Sequence, residues 1–119
     1  MLNCRTMYLA GLKPFGFDNL EDANYAKLQT IAGGFTLRQL YQFFLEHQYY
    51  INLWAAIFIL DKFKPVLGER LVGLNDKTSI VDECMEILKR HSEDFNTLQQ
   101  QNYDVWIKEI KTHYHPHLN

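Results

Sequence analysis

The fold of this chain is decided by residues 36–63, which read TLRQLYQFFLEHQYYINLWAAIFILDKF. Thr36 and Gln39 have the spacing of a capping box, in which two side chains satisfy free backbone amides at the start of a helix. No glycine or proline interrupts residues 36–63, so the pattern predicts one helix over the whole stretch. Residues 53–60 are apolar on every face, and such a helix is buried on all sides. We therefore expect one long buried central helix.

Further helical patterns lie on both sides of this stretch. Asp18 and Glu21 form a second capping box, and Gly33-Gly34 is expected to end that helix because glycine tolerates the left-handed conformation. A third helix, which either breaks at Ser92 or runs on to Gln101, is predicted by a 3-4-3-4-3 seam of inward-facing residues: Val81, Cys84, Leu88, His91, Phe95 and Leu98. A last helix is expected to start near Asn102 or Asp104, with one face formed by Tyr103, Trp106, Ile107, Ile110 and Tyr114.

Length and composition fit an ordinary globular protein. The chain has 119 residues, of which 47% are hydrophobic and 22% charged, and it contains no repeat or low-complexity segment. Residues 1–17 have no clear period but are apolar enough to pack on the body, as a short strand or a helical turn. We predict an all-α fold: one domain over residues 1–119, a compact bundle of four to five helices around the central one.

Charge and hydropathy argue against several classes of protein. The formal net charge is −2, whereas broad nucleic-acid binding needs a basic face. The most apolar run, residues 51–60, is shorter than the roughly 20 residues that span a bilayer, and residues 1–5 do not resemble a signal peptide. Cys4 and Cys84 form no paired motif. The sequence thus predicts a cytoplasmic protein with reduced cysteines and no membrane contact.

Histidines are the first candidates for chemistry. His113, His115 and His117 alternate near the C-terminus, but Pro116 lies among them and no other ligand is near, so a solvated tail is favoured over a metal site. His91 is two helical turns from Cys84, too far for a catalytic pair, and is read as a core histidine. We predict no metal and no cofactor.

Two further candidate sites lie in or next to residues 36–63. Glu46 and His47, with Tyr49 and Tyr50 one turn later, could line a polar pocket, although the spacing of a di-iron bundle is missing. The turn at Gly33-Gly34 followed by a helix resembles a DNA-binding helix-turn-helix, with Arg38, Gln39 and Gln42 as base readers. The length and apolar character of the second helix argue against that alternative.

The third helix carries the strongest surface signal, an excess of acidic side chains. The predicted binding residues are these carboxylates together with two tyrosines of the 36–63 stretch: Asp82, Glu83, Glu86, Glu93, Asp94, Tyr49 and Tyr50. An ordinary solvated helix face would show the same charges. A docking face for a basic partner is the functional alternative, because opposite fields steer association.

Three function classes follow from these observations. We expect a non-enzymatic protein-binding module, since no nucleophile is paired with a base. In general character such a chain is similar to small immunity proteins and antitoxins, which neutralise basic nuclease toxins by direct binding, although no motif carries the likeness. A small-ligand-binding helical domain and a helix-turn-helix regulator remain as alternatives.

Overall fold

A computed structural model describes residues 3–16, 23–73 and 77–114. Within these ranges the chain is all-α, as predicted, and contains no strand. The α-helices are α1 (Asn3–Leu9), α2 (Ala23–Gly33), α3 (Leu37–Tyr41), α4 (Ile51–Phe58), α5 (Ile80–Ser92) and α6 (Thr97–Tyr114). The described residues thus hold six α-helices where four to five were predicted, because α1 is fully helical and the long helix is divided.

The single central helix predicted over residues 36–63 is wrong. Thr36 caps α3 with the predicted box, since its side chain accepts from the Gln39 amide and the Gln39 side chain accepts from the Thr36 amide. The chain then passes through a 3₁₀ turn at Gln42–Leu45 and a second 3₁₀ turn at Gln48–Tyr50 before α4 begins. It breaks there because consecutive tyrosines adopt left-handed backbone angles, which no helix interior accommodates.

The second half of that stretch forms the centre of the core, as its composition predicts. Residues 52–60 are all buried, across α4 and the π turn at Ile59–Phe63 that follows it. Trp54 stacks on Phe58 with ring centroids 6.0 Å apart and also contacts the Tyr25 ring of α2. Helices α3 and α5 both pack against α4, which therefore positions them relative to each other.

The N-terminal segment packs on the body, also as expected. Helix α1 buries Cys4 and Met7, lies against α2, and ends at Leu9; Gly11 follows in a turn with φ of 79°. Helix α2 ends at Gly33, but neither Gly33 nor Gly34 has the left-handed angle that we predicted. The Asp18–Glu21 capping box falls outside the described residues.

The C-terminal helices divide at Ser92, one of the two predicted alternatives, but the last helix starts earlier than predicted. Helix α5 ends at Ser92, and α6 begins at Thr97 rather than near residue 102. An unpredicted box fixes this start, because Asn96 and Gln99 each accept a hydrogen bond from the other's backbone amide at 2.9 and 3.1 Å. The predicted inward-facing residues are buried from Val81 to Leu88. Leu98 lies on α6 instead of α5, and its side chain is 48% exposed.

Candidate functional site

A groove with a volume of about 650 Å³ runs between the α3–3₁₀ segment and the outer face of α5. One wall carries aromatic and apolar side chains and the other carries carboxylates, so we call it the acidic groove. Its main lining residues are Tyr41, Phe44 and Leu45 on the first wall and Asp82, Glu83 and Glu86 on the second. Three of the five predicted acidic residues therefore lie together in one groove.

Local sequence fixes the acidic wall. Ser79 caps α5, its hydroxyl accepting a hydrogen bond from the Asp82 amide at 3.2 Å, and this places Asp82 and Glu83 in the first turn. Carboxylates in a first turn are favoured by the helix dipole. Because Val81, Cys84 and Leu88 face the core, the carboxylates on the opposite side of α5 face the groove.

Negative charge exceeds positive charge on the groove lining. Among the described residues that line the groove, the one cation is Arg90, which pairs with Glu86 one turn away at 3.2 Å. Both side chains of that pair are more than half exposed, so the pair contributes little to stability and can exchange partners. The groove can therefore attract an incoming lysine or arginine.

The opposite wall supplies contact area. Leu45 is 86% exposed, and it stands next to the rings of Tyr41 and Phe44, whose centroids are 4.9 Å apart. Ile87 adds an apolar side chain from α5. Sequence analysis did not single out these side chains, because a continuous helix would have turned many of them towards the core.

The other predicted binding residues lie outside the acidic groove. Glu93 and Asp94 are exposed beyond the end of α5 and do not line it. Tyr49 and Tyr50 line a second, smaller recess of about 360 Å³ together with Tyr8, His47 and His91. Of the four residues predicted to line a polar pocket, His47, Tyr49 and Tyr50 do line this recess, with residues from α1 and α5, whereas Glu46 does not.

A buried amide lies between the two histidines of the second recess. Asn52 is 5% exposed, and its side-chain oxygen lies 3.1 Å from Nε2 of His91, while its side-chain nitrogen lies 3.4 Å from Nδ1 of His47. Sequence analysis missed Asn52 as a site residue. Its signal was available, since it is the one polar residue within the apolar run 51–60.

The two cysteines and His113 lie apart from both the acidic groove and the second recess. Cys4 and Cys84 are both free and buried, and burial raises the pKa of the Cys4 thiol to about 11 and that of Cys84 further, so neither is a thiolate at neutral pH. Over residues 3–16, 23–73 and 77–114, no three ligating side chains are grouped as a metal site would require. His113 is exposed, whereas His115 and His117 lie outside the described residues.

Comparison with known proteins gives no family for the chain. No protein-family model, no curated protein and no solved structure matches the sequence or the fold. In the part of the chain that the structure describes, none of the helices combines the length and hydropathy needed to cross a membrane.

Proposed function

We propose that this protein is a non-enzymatic binding module that docks a basic protein segment in the acidic groove. One observation carries the proposal: Asp82, Glu83 and Glu86 line the same concavity as the exposed side chain of Leu45. A partner segment with one apolar side chain flanked by lysine or arginine is complementary to such a site. Opposite charge would speed the encounter, and the buried apolar contact would hold the complex.

The size and shape of the groove support a protein segment as the occupant. A volume of about 650 Å³ is large enough for several side chains, and the groove is open to solvent. The exposed pair of Glu86 and Arg90 can rearrange around an incoming cation at small cost. We extend the proposal to the kind of partner suggested by the sequence, a basic nuclease-type toxin neutralised by an immunity protein or antitoxin.

DNA binding is less well supported than protein binding. The helix that would read bases, α3, is five residues long, and its Arg38 donates to the Val72 carbonyl at 2.7 Å rather than standing free. The carboxylates of the acidic groove lie beside the same segment and would repel phosphates.

Affinity capture with a charge-reversed variant tests the proposal. The double variant Asp82→Lys with Glu86→Lys inverts the acidic wall, and Asp104→Lys with Glu109→Lys is the matched control on exposed positions of α6. Each protein is immobilised and exposed to lysate of the source cells, and retained proteins are identified by mass spectrometry. We expect a basic protein to bind the wild type and the control at low salt and to be lost from the groove variant.

Two results would contradict the proposal. One is a partner that binds the groove variant as tightly as the wild type, which would place the interface elsewhere. The other is an acidic or uncharged partner whose binding is insensitive to salt, because docking driven by opposite charge weakens as ionic strength rises.

A further inference from the structure

Four aromatic rings follow one another around the second recess. The Tyr8 ring of α1 packs on Tyr49 with centroids 5.3 Å apart and on Tyr50 with centroids 5.9 Å apart. The Tyr50 ring lies in turn 6.0 Å from the imidazole of His91 on α5. Each of these rings is inclined to the next by an angle between 50° and 62°. The recess therefore has aromatic walls set at steep angles to one another.

The backbone at Tyr49 and Tyr50 produces this arrangement. Both residues have left-handed φ, of 53° and 60°, which bulky side chains rarely adopt. In a regular helix consecutive side chains point about 100° apart, so two neighbouring tyrosines would not both contact one ring. Here both contact Tyr8, whose side chain is 47% exposed. Strained backbone of this kind is typical of sites that clamp a ligand.

The two histidines of the second recess are positioned by Asn52. The Leu53 amide donates to Oδ1 of Asn52 at 2.9 Å, which orients the side-chain amide. The same Oδ1 lies 3.1 Å from Nε2 of His91, and the amide nitrogen lies 3.4 Å from Nδ1 of His47. Because Asn52 is buried, these contacts tie both imidazoles to the core. The walls of the recess are thus in place before a ligand binds, which lowers the entropic cost of binding.

The charges around the second recess favour a cation over an anion. Its described lining residues include no lysine and no arginine. Burial and the neighbouring His47 lower the pKa of His91, so this imidazole is neutral at neutral pH, whereas Asp94 acts in the opposite direction and therefore lies near the ring. The faces of aromatic rings are electron-rich and attract cations. A carboxylate and several ring faces thus act together on a positive ligand.

The angles between the rings indicate the shape of the ligand. A flat molecule is held between parallel ring faces, whereas rings inclined to one another surround a compact, rounded group. The volume of about 360 Å³ is near the lower end of the range for small-molecule sites. A quaternary ammonium head is compact and cationic, and its surface is formed by methyl groups. A lysine ammonium, in contrast, is strongly hydrated and loses more on leaving water.

We propose that the second recess is a binding site for a small organic cation with a quaternary ammonium head. The rings of Tyr8, Tyr49 and Tyr50 contact the methyl groups of the ligand, and Asp94 adds attraction from beyond the end of α5. The site is distinct from the acidic groove, since none of the described residues lines both. It is therefore independent of the protein docking proposed above.

Choline and its neutral isostere dimethylbutanol, in which a carbon atom replaces the nitrogen, test the proposal. The two probes have the same shape and differ in charge. Each is titrated into the isotope-labelled protein at neutral pH, and the shifts of tyrosine rings and backbone amides are followed by nuclear magnetic resonance. We expect choline to shift the rings of Tyr8, Tyr49 and Tyr50. It should bind about tenfold more tightly than dimethylbutanol, which lacks the cation–π attraction.

Variants at Tyr8 separate the ring face from the hydroxyl. Tyr8→Leu removes the ring that contacts both other tyrosines, and the affinity for choline should fall about tenfold. Tyr8→Phe keeps the ring face and should retain that affinity. Tyr41→Leu is the matched control, because it removes a tyrosine of the acidic groove and should leave choline binding unchanged. Amide spectra away from the recess verify that each variant folds.

Several results would overturn the inference. Absence of choline binding, or equal binding of choline and dimethylbutanol, would show that the wild-type chain does not recognise the charge, and this comparison needs no variant to fold. Choline shifts centred on residues 41–45 and 82–90 would place the cation in the acidic groove instead. Tighter binding of phenol, a flat neutral ring, than of choline would contradict the argument from the ring angles.

Discussion

The two halves of residues 36–63 share a helix-favouring composition but differ in regularity and in burial. Residues 52–60 are buried and helical, with aromatic rings packed on several sides. Residues 37–50 form one short α-helix and two 3₁₀ turns, and Leu45 among them is 86% exposed. Burial enforces regular structure in the second half, whereas the first half follows the contacts that its neighbours offer.

The comparison shows where this protein combines stability and binding. Helix α4 supplies the core, and the irregular segment before it supplies an apolar wall that a continuous helix would not present in the same way. The Asn52 amide lies at the junction of the two halves and bonds to both the segment 46–50 and α5. Perturbing each half separately should therefore give effects of very different size.

The largest effect is expected in the buried half. Trp54→Ala removes an indole that is 1% exposed and packed on Phe58 and Tyr25, and it should lower the free energy of unfolding by about 3–5 kcal/mol. Leu45→Ala is the matched change in the other half and should alter stability by less than about 0.5 kcal/mol. Urea denaturation measures both, and equal losses would contradict the contrast between the halves.

A change at the junction should have an intermediate effect. Asn52→Leu keeps the number and branching of the side-chain heavy atoms but removes the amide that His91 and the Leu53 backbone use, so it should cost about 1–3 kcal/mol. Chemical denaturation at neutral pH provides the value. A variant as stable as the wild type would show that the amide does not hold the segment 46–50 in place.

The cap of the first half should contribute less. Thr36→Ala removes the side-chain acceptor of the α3 capping box and is expected to cost about 1 kcal/mol. Thr112→Ala is the control, because Thr112 lies in the last turn of α6, where its hydroxyl donates to the Lys108 carbonyl and caps no helix start, and alanine is the better helix former. Thermal melts should show a lower Tm for Thr36→Ala and a higher Tm for Thr112→Ala than for the wild type. An unchanged Tm in Thr36→Ala would mean that neighbouring elements alone hold α3.

The smallest effect is a dependence on pH. Because burial lowers the pKa of His91 in the folded chain, the unfolded chain binds its proton more readily. The contribution of neutral His91 to the free energy of unfolding is fully present above the ordinary histidine pKa of 6.5. It is lost as pH falls towards the lower pKa of His91 in the folded chain. Unfolding free energies at about pH 8 and about pH 5 should differ less in His91→Gln than in the wild type. If the free energy of unfolding changed equally with pH in His91→Gln and in the wild type, the pH dependence would not come from His91.

Sequence patterns predicted what depends on local chemistry. The all-α class, the Thr36 capping box, the buried run and the start of the α5 seam all follow from spacing and composition, and the structure confirms them. The carboxylates on the outer face of α5 follow from the same helical periodicity. Their role in binding remains a prediction.

The rest depends on contacts between distant segments. The break at residues 46–50 is held by Tyr8 from α1 and His91 from α5, which no local pattern reveals. The break in turn exposes Leu45 and turns Phe44 towards the α5 carboxylates, so the groove could not be predicted once a continuous helix was assumed. The start of α6 was missed because the Asn96–Gln99 box was read as helix interior.

The most direct test of the acidic groove is to map where a basic, amphipathic peptide binds. A synthetic helix of alternating lysine and leucine pairs is added at low salt to the isotope-labelled protein, and backbone amide shifts are recorded by nuclear magnetic resonance. We predict that the largest shifts fall on residues 41–45 and 82–90 and disappear in Asp82→Lys with Glu86→Lys. Shifts centred on α6 or on Glu93 and Asp94, or shifts unchanged by the reversal, would contradict the account.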